Sequence, residues 1–179
     1  KDVGFLFLTR HKMERLWSPW RSEYIDSMKD KSDDESCVFC NAVSENLEEE
    51  SSLIVFRRNN IFTVLNLYPY NNGHLMIVPN RHISELSDIT TEEFSEITSQ
   101  ITLGTEALKL LYSPHGFNIG ANIGKAAGAG IDTHLHFHIV PRWNGDTNFM
   151  PIIGEVKVIS HELLETKKNL INAFEELLK

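Results

Sequence analysis

Alternating apolar and polar positions predict that much of this chain forms a β-sheet. Alternation over about four to eight residues is typical of a half-buried strand, and β-branched and aromatic residues strengthen the prediction. The predicted strands cover residues 53–57, 61–67, 74–78, 117–120 and 133–142. The first three are joined by short connections, which favour an antiparallel meander.

Two further stretches have apolar residues at helical spacing. Thr90 and Glu93 form a capping-box pattern at the start of the first stretch. The apolar stripe that follows consists of Phe94, Ile97, Ile101, Leu108 and Leu111. Gly104 interrupts this stripe, and a last helix is predicted from Ser160 through Leu178. The fold class is therefore α+β: an antiparallel sheet of about five strands with two main helices.

Composition limits the classes of function. The chain has 179 residues, 41% of them hydrophobic, which is enough for one ordinary core. A formal net charge of −8 argues against a protein that binds a nucleic acid polymer. No apolar stretch approaches the length of a membrane span, and the run Gly4–Leu8 is too short for a signal sequence. We therefore expect a cytoplasmic protein without membrane or nucleic acid partners.

The two cysteines, Cys37 and Cys40, are separated by two residues. This spacing supplies half of a tetrahedral zinc site, which histidines commonly complete. His82 and His134 follow or open predicted strands and are the candidate partners, so a structural zinc ion is expected. The alternative is that the cysteines are two small buried apolar residues.

Three histidines alternate with apolar residues in the last predicted strand. Because successive side chains of a strand point to opposite faces, His134, His136 and His138 are expected on one side. A glycine-rich run at residues 120–130 precedes them, and such a run can bring backbone N–H groups close to an anion. Together they indicate phosphoryl or nucleotidyl chemistry. Two alternatives stay open: a His₃ metal hydrolase, and histidines that are hydrogen-bonded without a function.

Several short motifs resemble the histidine-triad (HIT) nucleotide-binding proteins. The central one is His134-Leu-His136-Phe-His138-Ile-Val140. The others are Cys37–Cys40, Asn66-Leu-Tyr-Pro69, Gly73–Pro79, Arg81-His82, Asn122-x-Gly124 and Pro141-Arg142. Within the family, the segments Leu16–Arg21 and Pro141–Phe149 look most like the diadenosine tetraphosphate phosphorylase branch. The resemblance implies a HIT-like fold, usually paired as a homodimer.

The resemblance also implies roles for individual residues. His136 would attack the α-phosphorus and carry a transient nucleotidyl group, and His138 would contact phosphate oxygens and help to stabilise charge or move a proton. Asn66 would bond the ribose hydroxyls, and Asn122 and the backbone around Gly128 would hold the α-phosphate. The base slot would be lined by Val38, Phe39 and Leu67. His82 and His134 would complete the zinc site with the two cysteines.

The implied reaction is the cleavage of a dinucleoside polyphosphate, with phosphate or water as the acceptor and adenine as the base. At Gly130 and Ile131 many hydrolytic relatives carry Gln followed by Ser or Thr, so this chain favours a larger, more open phosphate subsite. The alternatives are a nucleoside phosphoramidate hydrolase and a nucleotide-binding regulatory module without turnover. Lys125 has two interpretations, as a phosphate ligand or as a surface lysine. His74 begins a buried strand, which favours a core histidine over a functional one.

The expected domain organisation is simple. Residues 1–12 are interpreted as an N-terminal extension or a cloning remnant, and residues 13–36 as an N-terminal arm. Trp17 and Trp20 in this arm either form an aromatic platform or pin the arm to the domain. Residues 37–150 form the histidine-triad domain, and a strand and helix in residues 151–179 complete it.

Overall fold

The computed structural model describes residues 37–49, 51–146 and 161–179. The predicted extension, arm and strand around residues 149–158 lie outside these ranges. The strands are β1 (Ile54–Arg57), β2 (Ile61–Leu65), β3 (Leu75–Pro79), β4 (Gly116–Gly120) and β5 (Phe137–Arg142). The helices are α1 (Val38–Val43), α2 (Thr91–Tyr112) and α3 (Leu163–Leu177), with short 3₁₀ turns at Leu86–Asp88 and Lys125–Ala127.

The five strands form one antiparallel sheet in the order β1-β2-β3-β5-β4. The predicted α+β fold with a five-stranded antiparallel sheet is therefore confirmed. The last strand is shorter than predicted, because it begins at Phe137 and leaves His134 and His136 just before it. In this preceding segment the backbone N–H of Leu135 donates to the carbonyl of Ile83 at 2.6 Å. Ile83 lies in the loop after β3, so this hydrogen bond is not part of the sheet.

The sheet has two apolar faces with different partners. One face packs against α2 and α3 through Val55, Ile61, Leu65, Leu75, Ile77 and Ile139. The other face packs against α1 through Ile54, Phe62, Val64, Met76 and Val78. His138 in β5 pairs with Met76 in β3 on one side and with Gly120 in β4 on the other. Since cross-strand partners share a face, His138 lies on the face opposite the two long helices.

Helix α2 begins with the predicted capping box and then departs from the predicted stripe. Ile97 and Leu108 are fully buried, as their spacing indicates, whereas Phe94 is exposed. Phe94 lies to one side of the buried stripe of the helix, which consists of Glu93, Ile97, Gln100, Gly104, Ala107 and Leu108. Gly104 does not weaken the packing: a Cβ there would lie 3.0 Å from Cδ1 of Ile139. The glycine therefore lets the helix approach the sheet closely. In the described part of the chain, no helix is long and apolar enough to cross a membrane.

One ion pair fixes the start of α2 to the loop after β3. The Arg81 guanidinium donates to both carboxylate oxygens of Glu93 at 2.7 Å, and Thr90 N–H donates to the same carboxylate at 2.9 Å. The hydrogen bonds from Arg81, and less from Thr90, lower the pKa of Glu93 to about 2 against the opposing effect of burial. A carboxyl group whose pKa is lowered by folding stabilises the fold at pH values above its pKa in the unfolded chain, which is near 4.5. This stabilisation is lost as the pH falls toward 2.

We therefore expect Glu93→Gln to melt a few degrees below the wild type at neutral pH, because the cap remains but the charge is lost. The difference should shrink as the pH falls below about 4.5. Thermal unfolding of both proteins, from neutral pH to below about pH 4.5, measures this difference in melting temperature. Glu92→Gln, an exposed neighbour in the same helical turn, is the control and should melt like the wild type. An equal effect of both substitutions would contradict the role of the ion pair.

Candidate active site and metal centre

Four ligand atoms converge between α1, the loop after β3 and the segment before β5. Sγ of Cys37 lies 3.3 Å from Nδ1 of His134, and Sγ of Cys40 lies 3.6 Å from the same nitrogen and 3.1 Å from Nδ1 of His82. All four atoms lie within 4.8 Å of one another. Ligands around a tetrahedral zinc ion are separated by about 3.3–3.8 Å. The four residues predicted from the sequence therefore form one metal site whose donors suit zinc.

The surroundings of His134 orient it as a ligand. Its Nε2 lies 2.9 Å from the carbonyl oxygen of Pro79, to which it donates. This bond places the ring proton on Nε2 and leaves the lone pair of Nδ1 directed at the thiols. Such a carbonyl partner is the usual companion of a zinc-bound imidazole.

The thiols show why a cation fits here. Burial raises the pKa of Cys37, but its contacts with His134 and Cys40 outweigh that effect and lower the pKa to about 6. Burial and the neighbouring Cys37 raise the pKa of Cys40 to about 11. One negative charge is thus stabilised and a second is costly without a counter-charge. A divalent cation supplies that counter-charge and permits both thiolates.

The second histidine, His136, has a different environment. Its Nδ1 donates to the carbonyl oxygen of His134 at 2.8 Å, which leaves the lone pair on Nε2. Burial is the main reason that its pKa is lowered from the ordinary value, so the ring is neutral at neutral pH. Within the described ranges, neither His136 nor His138 belongs to a group that could hold a metal. The arrangement does not support the His₃ metal site that the sequence left open.

Phe39 connects the metal centre to the nucleophile candidate. It lies in α1 between the two cysteines and is buried. Its ring centroid is 5.4 Å from that of His134 and 5.0 Å from that of His136. Phe39 therefore packs behind the triad, while Val38 (42% exposed) and Leu67 (57% exposed) present apolar surface to solvent. The base slot predicted for these three residues stays a prediction.

The predicted phosphate ligands lie in the loop between β4 and β5. Asn122 is half-buried and follows Gly120, the register partner of His138. Gly124 and Gly128 have φ angles of 76° and 87°, which glycine adopts readily. The N–H of Gly128 donates to the carbonyl of Lys125 at 2.9 Å inside the turn. The N–H groups of Ala127 and Ala129 also donate inside the turn, to the Gly124 carbonyl at 3.1 and 3.5 Å, and the phosphate role around Gly128 stays a prediction.

Two polar residues at the loop and its neighbourhood have partners of their own. Lys125 is 87% exposed at its side chain, with its ammonium 3.8 Å from the Asp132 carboxylate, which supports the surface interpretation. Asn66, predicted to bind ribose, accepts a hydrogen bond from Tyr68 N–H at 2.9 Å through Oδ1, and its Nδ2 lies 3.3 Å from Nδ1 of His74. The ribose contact stays a prediction.

Sequence reasoning missed two groups of residues around the site. His74, which it favoured as a core histidine, lies 2.9 Å from His138 through Nε2 and Nδ1. Only the pairing of β3 with β5 brings these residues together, and that register is not readable from either segment alone. The second group is the turn after β5, where Arg142 donates to both oxygens of Asp146 at 2.6 and 2.8 Å. The available signal was a pair of opposite charges on the two sides of the turn at residues 144–145.

Comparison with known proteins agrees with this geometry. The HIT domain family matches residues 47–145 of the chain. An AP-4-A phosphorylase from Mycobacterium tuberculosis (strain H37Rv) is 43% identical over 164 residues, which cover 90% of this chain and 84% of the relative. The chain belongs to the HIT family.

Solved structures place the chain in the same family. A Zn-bound histidine triad family protein from Mycobacterium smegmatis superposes with a TM-score of 0.64 at 27% identity, over 79% of this HIT chain and 95% of that one. A uridylyltransferase superposes with a TM-score of 0.62 at 20% identity, over 90% of this chain and 50% of that one. The second match concerns the fold alone. The first match is a zinc-bound protein, and the present chain has a group of two cysteines and two histidines that could hold such an ion.

Proposed function

We propose that this HIT protein is a nucleotidyltransferase or hydrolase that cleaves dinucleoside polyphosphates such as diadenosine tetraphosphate. The observation that carries the proposal is the state of His136: it is buried, outside the metal group and held with a lone pair on Nε2. A neutral imidazole fixed in this way can attack phosphorus. A metal-bound imidazole has no such lone pair.

The reaction proceeds in two displacements. Nε2 of His136 forms a bond to the α-phosphorus, and the bond from that phosphorus to the bridging oxygen breaks, so the polyphosphate nucleotide leaves. Phosphate or water then attacks the nucleotidyl-histidine and releases a nucleoside diphosphate or monophosphate. Covalent catalysis of this kind replaces one difficult displacement by two easier ones. Bound zinc would supply a structural tie between α1 and His134.

Donor groups around the nucleophile suit the charge that develops on the phosphate. His138 lies next to His136, with ring centroids 4.8 Å apart, and is proposed to contact phosphate oxygens and to help with charge or proton movement. Asn122 and backbone amides of the glycine loop are proposed to hold the α-phosphate. Because Gly130 and Ile131 carry no polar side-chain group, the subsite has room for a longer phosphate chain.

The choice of substrate rests on the relatives and on the apolar surface beside the site. The M. tuberculosis protein with 43% identity is an AP-4-A phosphorylase, and it matches nearly the whole chain. Val38 and Leu67 expose apolar area that an adenine base can cover, with Phe39 behind them. We therefore propose adenine as the base and Asn66 as the ribose contact.

A product assay on diadenosine tetraphosphate, with and without inorganic phosphate, tests the proposal. We expect phosphate to be consumed and ADP to appear with ATP, because phosphate releases the adenylyl group as ADP. AMP and ATP without use of phosphate would identify water as the acceptor. Adenosine phosphoramidate in parallel tests the competing hydrolase activity. Binding of the nucleotide without turnover would contradict the enzyme and support a regulatory module.

We also propose a homodimer in a reducing, cytoplasmic setting. Strand β4 is the last strand of the sheet, and Ile119 on it is exposed. An exposed apolar edge strand is well suited to pairing with a second copy. Both cysteines are free thiols within the metal group, which suits a reducing compartment. Sedimentation of the protein measures the oligomeric state, and a monomer at micromolar concentration would contradict the dimer.

A further inference from the structure

The hydrogen bonds around His74 determine which of its nitrogens carries the proton. His74 is fully buried at the start of β3. Its Nδ1 accepts the backbone N–H of Tyr70 at 3.0 Å, and a backbone N–H can only donate. Nδ2 of Asn66 lies 3.3 Å from the same nitrogen, and its orientation is fixed because Oδ1 of Asn66 accepts from Tyr68 N–H. The proton of neutral His74 therefore resides on Nε2.

That proton is directed at the third histidine of the triad. Nε2 of His74 lies 2.9 Å from Nδ1 of His138, so His74 donates and His138 accepts. A neutral imidazole carries one proton. With its Nδ1 occupied as an acceptor, His138 carries its proton on Nε2.

The loop that holds His74 is itself anchored. The His74 carbonyl accepts from the N–H of Asn66 at 2.9 Å, and the His74 N–H donates to the carbonyl of Asn71 at 3.2 Å. Tyr70 packs its ring 4.6 Å from that of His74. Gly73 precedes it with a φ of 72°, and a Cβ there would lie 2.7 Å from Leu108. The position of the His74 ring is therefore set by backbone and packing from several sides.

We propose that His74 is a positioning residue that holds His138 in the tautomer with the proton on Nε2. In this tautomer His138 is a donor to phosphate oxygens; in the other tautomer its Nε2 would present a lone pair to a negatively charged group. The catalytic consequence rests on the proposed function, whereas the tautomer itself does not. A histidine that only filled the core would leave the tautomer of His138 unspecified.

The tautomers can be measured on the unmodified protein. Long-range ¹H–¹⁵N spectra of the zinc-loaded chain distinguish protonated from unprotonated ring nitrogens. We expect Nε2 to be protonated and Nδ1 unprotonated in both His74 and His138 at neutral pH. A proton on Nδ1 of His138 would overturn the inference. This result does not depend on any variant or on turnover.

Two substitutions of different chemistry test the catalytic consequence. His74→Phe keeps an aromatic ring but removes the donor, and we expect kcat to fall about 100-fold with little change in KM. His74→Gln places an amide N–H near the position of Nε2, and we expect it to restore most of kcat and the His138 tautomer. Equal losses of kcat in both variants, at equal zinc content, would contradict the positioning role. Absence of turnover in the wild type would contradict the proposed function alone.

Discussion

Replacing His136 with alanine is expected to reduce the turnover of diadenosine tetraphosphate by at least about 10⁴-fold, because the substitution removes the nucleophile. The same variant should keep its zinc, since His136 is not one of the four residues of the metal group. Steady-state kinetics together with elemental analysis of zinc per chain measure both parts. Phosphate-dependent ADP release should disappear in parallel, because both acceptors act on the same covalent intermediate.

The control for this substitution is His161→Ala, which removes an exposed histidine outside the triad and the metal group. It should retain both turnover and zinc. If His136→Ala lost zinc together with activity, the imidazole would be a metal ligand and the proposed covalent step would be wrong. If it retained turnover, another residue would have to be the nucleophile. A radiolabelled adenylyl group trapped on the wild type but not on the variant would identify His136 directly.

Replacing Cys40 with serine is expected to weaken zinc binding, whereas His136→Ala should leave it unchanged. The variant loses one of four zinc ligands, and we expect its zinc affinity to fall about 100-fold or more, since outer partners of metal ligands alone account for about 10–100-fold. At saturating zinc a hundredfold loss corresponds to about 2.7 kcal/mol of stabilisation. For a chain of this size we expect the melting temperature to fall by about 5–10 °C.

A chelator provides the matched control for the cysteine. Removing zinc from the wild type should lower its melting temperature by more than the substitution does, because the chelator removes the whole contribution of zinc binding to stability. The same chelator should lower the melting temperature of Cys40→Ser by less than that of the wild type, since the variant binds zinc more weakly. Calorimetry with zinc analysis measures these quantities. A variant with full zinc content and an unchanged melting temperature would show that Cys40 is not a ligand.

Local patterns were sufficient for the parts of the site that lie close together in sequence. The spacing of Cys37 and Cys40, with two spare histidines, correctly indicated a zinc site, because the chemistry of thiolate and imidazole donors limits the choice of metal. The alternation of the three histidines indicated a common location, although the strand begins only at Phe137. The earlier segment instead uses its backbone to bond the loop at Ile83. An alternating pattern does not distinguish a ladder from such an irregular extended segment.

Contacts between distant segments could not be predicted in this way. His74 and His138 are 64 residues apart, and their hydrogen bond depends on the β3–β5 register. The exposure of Phe94 likewise depends on which side of the helix faces the sheet, since its neighbour Glu93 is the buried residue of that turn. Gly104 appeared as a defect in the apolar stripe, but it is the point at which the helix and Ile139 come together. These features depend on tertiary packing, which a single segment does not encode.

The position of Phe39 has a practical consequence for handling the protein. Its ring contacts both His134 and His136. It lies on the short helix α1, which Cys37 precedes and which contains Cys40. Loss of the ion would release the helix and, with it, the aromatic wall behind the nucleophile. Batches purified with chelating buffers should therefore contain a mixture of competent and incompetent molecules. Their specific activity should rise in proportion to the zinc stoichiometry, and an inhibitor titration of active sites should return the same fraction.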